Sequence, residues 1–311
     1  MIRYLYLRAR GIRATRMPPP TRRLSGVLAW GTECLLLVFA LGQSAWLVQS
    51  FFNTQDSVAI TAHRGSSINA PENTLAAIEL AIEEGADYVE FDVRQTANGK
   101  LVLVHDRDFR RLGGPATPIW NMTFDEVQAV DVGRWFGPDF AGERVPTLHD
   151  VIDQVGDRAT LYVEIKPGPD PLGLTEAIVD RLTERDALDN SLLAALDRRL
   201  LDHARDRQPD LRTALFVHTV IGQTDYSTLD AVGFRAATLN RAQIRQSHQQ
   251  DFEVHVWTVN DPNEMARFID LGVNNIITDR SDLLAELLDA RTDLSDAERL
   301  ILRVSRWLQA R

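Results

Sequence analysis

The sequence has very little cysteine and lysine. Its 311 residues include one cysteine, Cys34, and two lysines, Lys100 and Lys166. A single cysteine excludes an intramolecular disulfide and a cysteine-based metal site. Because lysine is so rare here, Lys166 stands out in the otherwise β-rich run "YVEIKP".

Positive charge is scarce outside the N-terminus. Residues 1–52 carry seven arginines and one acid, Glu33, whereas the rest of the chain carries 27 basic and 43 acidic residues, a net charge of −16. Nucleic-acid binding requires a basic surface, so we expect no nucleic-acid partner. An acidic body is compatible with divalent cations. The apolar content of 44% supports a globular core at this length.

An arginine-rich N-terminus at residues 1–23 precedes an apolar segment at 24–52 in which Glu33 is the only charge. Its last 19 residues, from Cys34 to Phe52, would form a helix of about 28 Å, which matches a bilayer core. The arginines predict a cytoplasmic N-terminus. We therefore expect a transmembrane or signal-anchor helix and a membrane-anchored protein whose main domain is extracytoplasmic.

Two other interpretations of this segment remain open. Ala40-Leu41-Gly42 resembles a small-residue cleavage site, and cleavage there would release a secreted or periplasmic protein. The segment is also compatible with an amphipathic helix on a membrane surface. The transmembrane anchor and the cleaved signal peptide would both export the domain.

From residue 57 onward, short β-rich runs alternate with stretches of helical period. The runs are Val58–Ala62, Tyr88–Val93, Leu101–His105, Leu161–Ile165, Ser191–Leu196, Thr213–Val217, Ala236–Leu239, Val254–Val259 and Asn275–Thr278. This alternation predicts an α/β domain with a parallel sheet, and its length fits a distorted (β/α)8 TIM barrel. We place the barrel at 57–285 and a helical tail at 286–311.

Nine runs exceed the eight places of such a barrel. Asn98-Gly99 lies between the second and third runs, and this connection is too short for a parallel crossover, so it predicts a hairpin. The weak run Ala236–Leu239 is expected outside the barrel. The glycine- and proline-rich stretch 107–147 is expected to be an insertion over one mouth of the barrel.

Polar side chains occur where the first four runs end: His63, Arg64, Glu90, Asp92, His105, Glu164 and Lys166. Each alone is more often structural, but the carboxyl ends of parallel barrel strands share one face. Clustered carboxylates favour a hard cation such as Mg²⁺ or Ca²⁺. Arginine and lysine beside it favour phosphate, and two histidines can serve as general base and general acid. The set therefore predicts phosphoryl transfer.

At these residues the chain resembles the glycerophosphodiester phosphodiesterase family, whose fold is a distorted (β/α)8 barrel. The resemblance covers about 58–285 through an ordered series of motifs: "AHRG", "PENTLAAI", "GADYVEFDVRQTANGKLVLVHD", "ERVPTLHDVI", "YVEIKP", "VHVWTVND" and "GVNNIITDRSD". Several long motifs in order are more specific than any one of them.

The resemblance implies roles for the clustered residues. Glu90, Asp92 and Glu164 would bind one divalent cation, Mg²⁺ or Ca²⁺. His63 and His105 would form the acid–base pair.

It also implies residues that contact substrate or support the rim. Arg64 and Lys166 would contact phosphate, and Trp257 would line the substrate pocket. The implied supporting residues are Glu72, Asn73 and Asp106, of which Asp106 would orient the neighbouring histidine. The remaining histidines are expected to be structural or at the surface: His149, His203, His218, His248 and His255.

The implied activity is hydrolysis of a small glycerophosphodiester to glycerol 3-phosphate and an alcohol. The fifth run ends in Ala195-Leu196-Asp197 where the family has a Ser-Phe-Asp-like end, and the insertion reads "RRLGGPATPIW", so the substrate stays open. The alternative is a membrane-associated lysophospholipase D that acts on lysophospholipids. An inactive barrel would have lost a carboxylate or histidine of the set, and a zinc or pyridoxal-phosphate enzyme would need ligands that this set lacks.

Overall fold

The described part of the chain begins after the N-terminal segments. The structure is a computed structural model that describes residues 58–218, 226–247, 249–250 and 252–295, together with 298 and 301. The segments predicted at 1–23 and 24–52 lie outside the described residues. Among the residues described, no helix has the length and apolar character needed to cross a membrane.

Eight parallel strands close into a barrel, as the alternation predicts. In chain order the strands are β1 (Ala59–Ala62), β2 (Tyr88–Gln95), β3 (Leu101–Leu103), β4 (Thr160–Ile165), β5 (Ser191–Ala195), β6 (Arg212–Val217), β7 (Ala231–Arg235), β8 (Glu253–Trp257) and β9 (Asn275–Thr278). The sheet order is β1-β9-β8-β7-β6-β5-β4-β2-β3, and an additional pairing of β1 with β2 closes it. All strands except β3 are parallel to their neighbours.

Helices follow most of the parallel strands. In the described chain the α-helices are α1 (Leu75–Glu83), α2 (Phe124–Gln128), α3 (Leu148–Val155), α4 (Pro171–Glu184), α5 (Arg198–Arg207), α6 (Arg241–Ser247), α7 (Pro262–Leu271) and α8 (Ser281–Thr292). Their starts follow local chemistry: the Thr74 side chain accepts from Ala77 N at α1, and Asp261 caps α7 with Pro262 as the first helical residue. Helix α8 runs through position 285, where we placed the end of the barrel domain.

The short β3 confirms the predicted hairpin. It pairs antiparallel with the last residues of β2, with Val93 opposite Leu103 and Gln95 opposite Leu101. Strand β2 is longer than β1 and pairs with it only through Tyr88 and Val89, which leaves its far end free to pair with β3. The chain therefore reverses between Gln95 and Leu101, and Val104 N then donates to the Asp92 carbonyl in the middle of β2 at 3.0 Å.

The sixth parallel strand, β7, differs from the strand pattern expected from the sequence. Ala236–Leu239 is indeed outside the sheet, because Ala236–Thr238 forms a 3₁₀ turn. The strand itself is Ala231–Arg235, which the apolar pattern does not predict because Gly233 and Arg235 interrupt it. A glycine is required at position 233: a Cβ there would lie 2.4 Å from the Phe216 ring.

Two apolar layers hold the barrel. One cluster packs the outward faces of the strands against the helices, with residues such as Ile78, Val163 and Phe268. A smaller cluster fills the barrel interior and includes Tyr162 and Phe216, whose rings stack at 5.8 Å. The interior cluster lies beneath the polar strand ends and closes the barrel under the site.

Gly65 offers a test of the turn that leaves β1. Its φ is +79°, and a Cβ would lie 2.6 Å from the backbone carbon of Ala77 in α1. Gly65→Ala should lower the free energy of unfolding by about 3 kcal/mol or more, because left-handed strain adds to a backbone clash. Urea unfolding followed by circular dichroism measures this change.

Gly85→Ala is the matched control. Gly85 has a φ of +85° but nothing within 4 Å of a built Cβ. Gly85→Ala should lower the free energy of unfolding by only about 1–2 kcal/mol, the cost of left-handed backbone at an alanine. Equal losses in the two variants would contradict the close approach of the β1 turn to α1.

Candidate active site

Three carboxylates meet on one face of the neighbouring strands β2 and β4. Glu90 and Asp92 alternate with outward residues on β2, and Asp92 is the register partner of Glu164 on β4. One oxygen from each side chain lies within 4.8 Å of the others, and all three residues are buried. The pattern of acids at alternate strand positions therefore produces one cluster.

The triad is electrostatically frustrated without a cation. Burial, and then the charge of Asp92, raise the pKa of Glu90 to about 8. The same two causes raise the pKa of Glu164. Burial also acts to raise the pKa of Asp92, but Lys166 and Arg64 outweigh it and hold this pKa well below its usual value.

The triad fits a hard divalent cation. Glu90 Oε1 and Asp92 Oδ1 are buried and accept no hydrogen bond within the described part of the chain. Unsatisfied buried oxygens are costly, and oxygen ligands of this kind suit Mg²⁺ or Ca²⁺. Glu90, Asp92 and Glu164 are thus a buried acidic triad able to hold a metal ion.

Two cationic side chains border the triad. Lys166 Nζ donates to Glu164 Oε1 at 2.6 Å and forms an ion pair with Asp92 Oδ1 at 3.1 Å, in which no hydrogen bond forms. Arg64 Nε lies 3.4 Å from Asp92 Oδ2, and it too has no hydrogen-bond partner among the residues described. Both cationic side chains are therefore mostly buried against Asp92, with 17% of Arg64 and 13% of Lys166 exposed.

His63 lies against a carboxylate that the sequence analysis missed. Its Nδ1 is 2.6 Å from Oδ1 of Asp279, which directly follows β9. Burial opposes protonation, but this hydrogen bond and the charge of Glu90 raise the pKa of His63. An acid at the end of an apolar run, as in "NNIITDRSD", was the available signal.

Asp279 is itself held in place. Ser67 Oγ donates to its Oδ1 at 3.0 Å, and Asn260 Nδ2 donates to its Oδ2 at 2.6 Å. Although burial opposes it, the hydrogen bond with His63 lowers the pKa of Asp279 to about 2. The His63 ring is therefore oriented by a carboxylate that is anionic at neutral pH.

His105 forms a second histidine–carboxylate pair. Its Nδ1 lies 2.8 Å from Asp106 Oδ1, the contact expected from the sequence. Burial lowers the pKa of His105. The guanidinium of Arg94, which no sequence pattern indicated, donates to the His105 carbonyl at 2.7 Å and to the Lys166 carbonyl at 3.3 Å.

Glu72 and Asn73 brace the rim. Asn73 Nδ2 donates to Asp92 Oδ2 at 2.8 Å, and its Oδ1 accepts from the Asp92 backbone N–H at 3.0 Å. Glu72 Oε1 accepts from Arg64 Nη1 at 3.1 Å. Arg64 and Asn73 have φ values of +58° and +57°, left-handed backbone that these contacts hold in place.

Trp257 stands at the end of β8 in an aromatic group. Its Nε1 donates to the Gly233 carbonyl at 2.9 Å, and its ring meets Phe216 edge-on at 5.6 Å. His218 lies against the same ring at 5.1 Å, so this histidine has a neighbour at the rim that the sequence did not reveal. His255 is buried between Tyr162 and Glu253, as expected of a structural residue.

The fold and the site define a class: a parallel α/β-barrel hydrolase with a buried acidic triad close to two imidazole–carboxylate pairs. A family model described as "Glycerophosphoryl diester phosphodiesterase family" matches residues 63–283. The chain belongs to this family. It is accordingly a glycerophosphodiester phosphodiesterase, a phosphoric diester hydrolase.

Relatives match along nearly their whole length. The chain is 31% identical over 238 residues to a glycerophosphodiester phosphodiesterase of Caldanaerobacter subterraneus, which covers 74% of this chain and 97% of the relative. It is 28% identical over 252 residues to a glycerophosphodiester phosphodiesterase of Bacillus subtilis, which covers 73% and 85%. An Oleispira antarctica phosphodiesterase, solved with its product sn-glycerol-3-phosphate, superposes with a TM-score of 0.70 at 24% identity, covering 74% of this chain and 96% of that one.

Glu90 generates a prediction on pH and stability. Its folded pKa of about 8 lies above its usual 4.5, so the folded state holds a proton that the unfolded state releases. Stability in a chelator should therefore fall as pH rises between these two values. Glu90→Gln should flatten this decline, and a divalent cation should reverse it by binding only the folded state.

Thermal unfolding in EDTA from pH 5 to pH 8, with and without added Mg²⁺, measures the effect. Glu253→Gln is the control, because the pKa of Glu253 is lowered, first by its hydrogen bond with His255. A decline of the same steepness in wild type and Glu90→Gln would contradict the assigned protonation.

Proposed function

We propose that the protein cleaves glycerophosphodiesters to glycerol 3-phosphate and an alcohol, with one divalent cation at the acidic triad and a histidine pair as general acid and base. The observation that carries this proposal is the buried triad, in which Glu90 interacts with His63 of the His63–Asp279 pair and Asp92 with His105 of the His105–Asp106 pair. The family match and the glycerol 3-phosphate product of the Oleispira phosphodiesterase support it.

Glu90, Asp92 and Glu164 hold the cation in this proposal, since Glu90 Oε1 and Asp92 Oδ1 are buried and accept no hydrogen bond from the residues described. When bound, the cation supplies Lewis-acid polarisation of the phosphoryl group. Arg64 and Lys166 bind the phosphate oxygens. Arginine offers a planar fork for two oxygens, and lysine offers a compact charge.

His63 accepts the proton of the glycerol hydroxyl next to the phosphodiester. His63 Nδ1–H donates to Asp279, which leaves Nε2 as the basic atom of the ring. The Asp279 carboxylate increases the basicity of Nε2. The hydroxyl oxygen then forms a new bond to phosphorus while the bond to the leaving alcohol breaks. The product of this step is a cyclic phosphate.

His105 gives its proton to the departing alkoxide. Burial lowers its pKa, so its imidazolium is the stronger acid of the pair. The roles then reverse: His105 removes a proton from water, water opens the cyclic phosphate, and His63 protonates the regenerated glycerol hydroxyl. Glycerol 3-phosphate is released.

The placement in the cell is a separate part of the proposal. We propose that 1–23 is cytoplasmic, that 24–52 anchors the chain, and that the barrel at 57–285 acts outside the cytoplasm. Its support is the arginine asymmetry and the apolar segment in the sequence.

The acid–base assignment predicts different responses to the leaving group. His63→Ala and His105→Ala should each reduce kcat for glycerophosphocholine by about 10²–10⁴-fold, the usual weight of one acid–base group. On the p-nitrophenyl diester of glycerol 3-phosphate, His105→Ala should recover most of its activity, since nitrophenolate departs without a proton. His63→Ala should stay inactive on this diester as well, because the glycerol hydroxyl still needs a base.

The measurement is the initial rate of alcohol release from each of the two substrates. His149→Ala is the control, because His149 lies on α3, which carries none of the proposed site residues, and its Nε2 is 3.5 Å from Asp153 Oδ2. Recovery of both variants, or of neither, would contradict the assignment.

Metal and substrate are tested together on the full chain. EDTA should abolish turnover, and Mg²⁺ or Ca²⁺ should restore it, with glycerophosphocholine converted to glycerol 3-phosphate and choline. Asp92→Asn should lose this response, because it removes the charge at the centre of the triad. Lysophosphatidylcholine in parallel reports the alternative lysophospholipase D activity. Turnover in EDTA, or release of phosphocholine, would contradict the proposal.

A further inference from the structure

Arg111 connects two parts of the rim. It lies in the 3₁₀ turn Arg110–Leu112, within the insertion that follows His105. Its Nη1 and Nη2 donate to the two oxygens of Glu72 at 2.7 and 2.6 Å. Its Nε donates to Asp106 Oδ2 at 2.7 Å. One guanidinium therefore binds two carboxylates on different loops.

Each of these carboxylates also contacts a residue of the site. Asp106 uses its other oxygen, Oδ1, for His105 Nδ1 at 2.8 Å. Glu72 Oε1 also accepts from Arg64 Nη1 at 3.1 Å. Arg111 itself has no contact with the acidic triad among the interactions described, so its influence passes through these carboxylates.

The geometry at Asp106 depends on Arg111. The Asp106 side chain is 32% exposed, and its described side-chain partners are His105 and Arg111. A partly exposed aspartate beside water has several rotamers available, and only some direct Oδ1 at the histidine. A planar fork fixed on Glu72 restricts that choice, which a lysine ammonium does not reproduce.

We propose that Arg111 is a positioning residue that holds Asp106 so that the His105 ring points its Nε2 at the leaving group. This inference rests on the proposed function, because it assigns Arg111 to the proton-donating arm. The alternative path runs through Glu72 and Arg64 and would alter phosphate binding for every substrate.

Arg110 supplies a matched control on the adjacent residue. Its side chain is 67% exposed and binds Asp108, with Nε at 3.1 Å from Oδ1 and from Oδ2. Arg110→Ala removes the same charge and side chain from the same turn. It leaves the Glu72–Asp106 bridge in place.

The experiment compares Arg111→Ala, Arg111→Lys and Arg110→Ala with wild type on glycerophosphocholine and on the p-nitrophenyl diester of glycerol 3-phosphate, in the presence of Mg²⁺. Arg111→Ala should lower kcat for glycerophosphocholine by about 10–100-fold, as loss of an orienting partner typically does. On the nitrophenyl diester the loss should be less than about threefold, because no proton donor is needed.

Two further readouts separate positioning from folding. Guanidinium chloride at non-denaturing concentration should partly restore Arg111→Ala on glycerophosphocholine, and Arg111→Lys should fall between wild type and Arg111→Ala. Arg110→Ala should match wild type on both substrates. Thermal unfolding shows whether each variant is folded. If Arg111→Ala is unfolded, Arg111→Lys is compared with wild type in its place.

An equal loss on both substrates, or no loss at all, overturns the role of Arg111 while the proposed function stands. If His105→Ala is also unselective between the substrates, it is instead the assignment of His105 as proton donor that fails. The two failures are therefore distinguishable in one set of assays.

Discussion

The mutual repulsion of three buried carboxylates organises the site. Glu90, Asp92 and Glu164 are buried, and one carboxylate oxygen from each lies within 4.8 Å of the others. Like charges at this spacing repel strongly in a medium of low dielectric constant. Lys166 and Arg64 lie against Asp92 and offset its charge, and the raised pKa of Glu90 favours its protonated form. A divalent cation would relieve the remaining repulsion.

Barrel closure brings the first histidine to this cluster. His63 follows β1 and Asp279 follows β9, and these strands are neighbours only because the sheet closes on itself. The hydrogen bond between them joins residues 216 positions apart. The same closure aligns β1 with β2, where the Arg64 backbone N–H donates to Glu90 Oε2 at 2.8 Å. Closure is therefore a condition of the site as well as of the fold.

Much of the fold and part of the site could be predicted from the sequence. Alternating acids in "YVEFDV" and the E-x-K of "YVEIKP" are local signals, because side chains two apart on a strand share a face. The strand Ala231–Arg235 was not predicted because Gly233 interrupts its apolar pattern. This glycine makes room for the Phe216 ring of the neighbouring strand, and the local sequence carries no sign of that contact. Asp279, Arg94 and Arg111 were missed for a similar reason: each acts on residues distant in the chain.

The sequence by itself determined the strand–helix alternation, the hairpin at Asn98-Gly99 and the residue types that the site contains, because these depend on local periodicity and side-chain chemistry. Only the tertiary structure decided which groups touch. His105 follows an antiparallel strand, so the rule for parallel strand ends does not place it; the register of Val93 with Leu103 does. Partners such as Asp279 for His63 depend on backbone hydrogen bonding around a closed sheet, a non-local constraint that no short stretch of sequence carries.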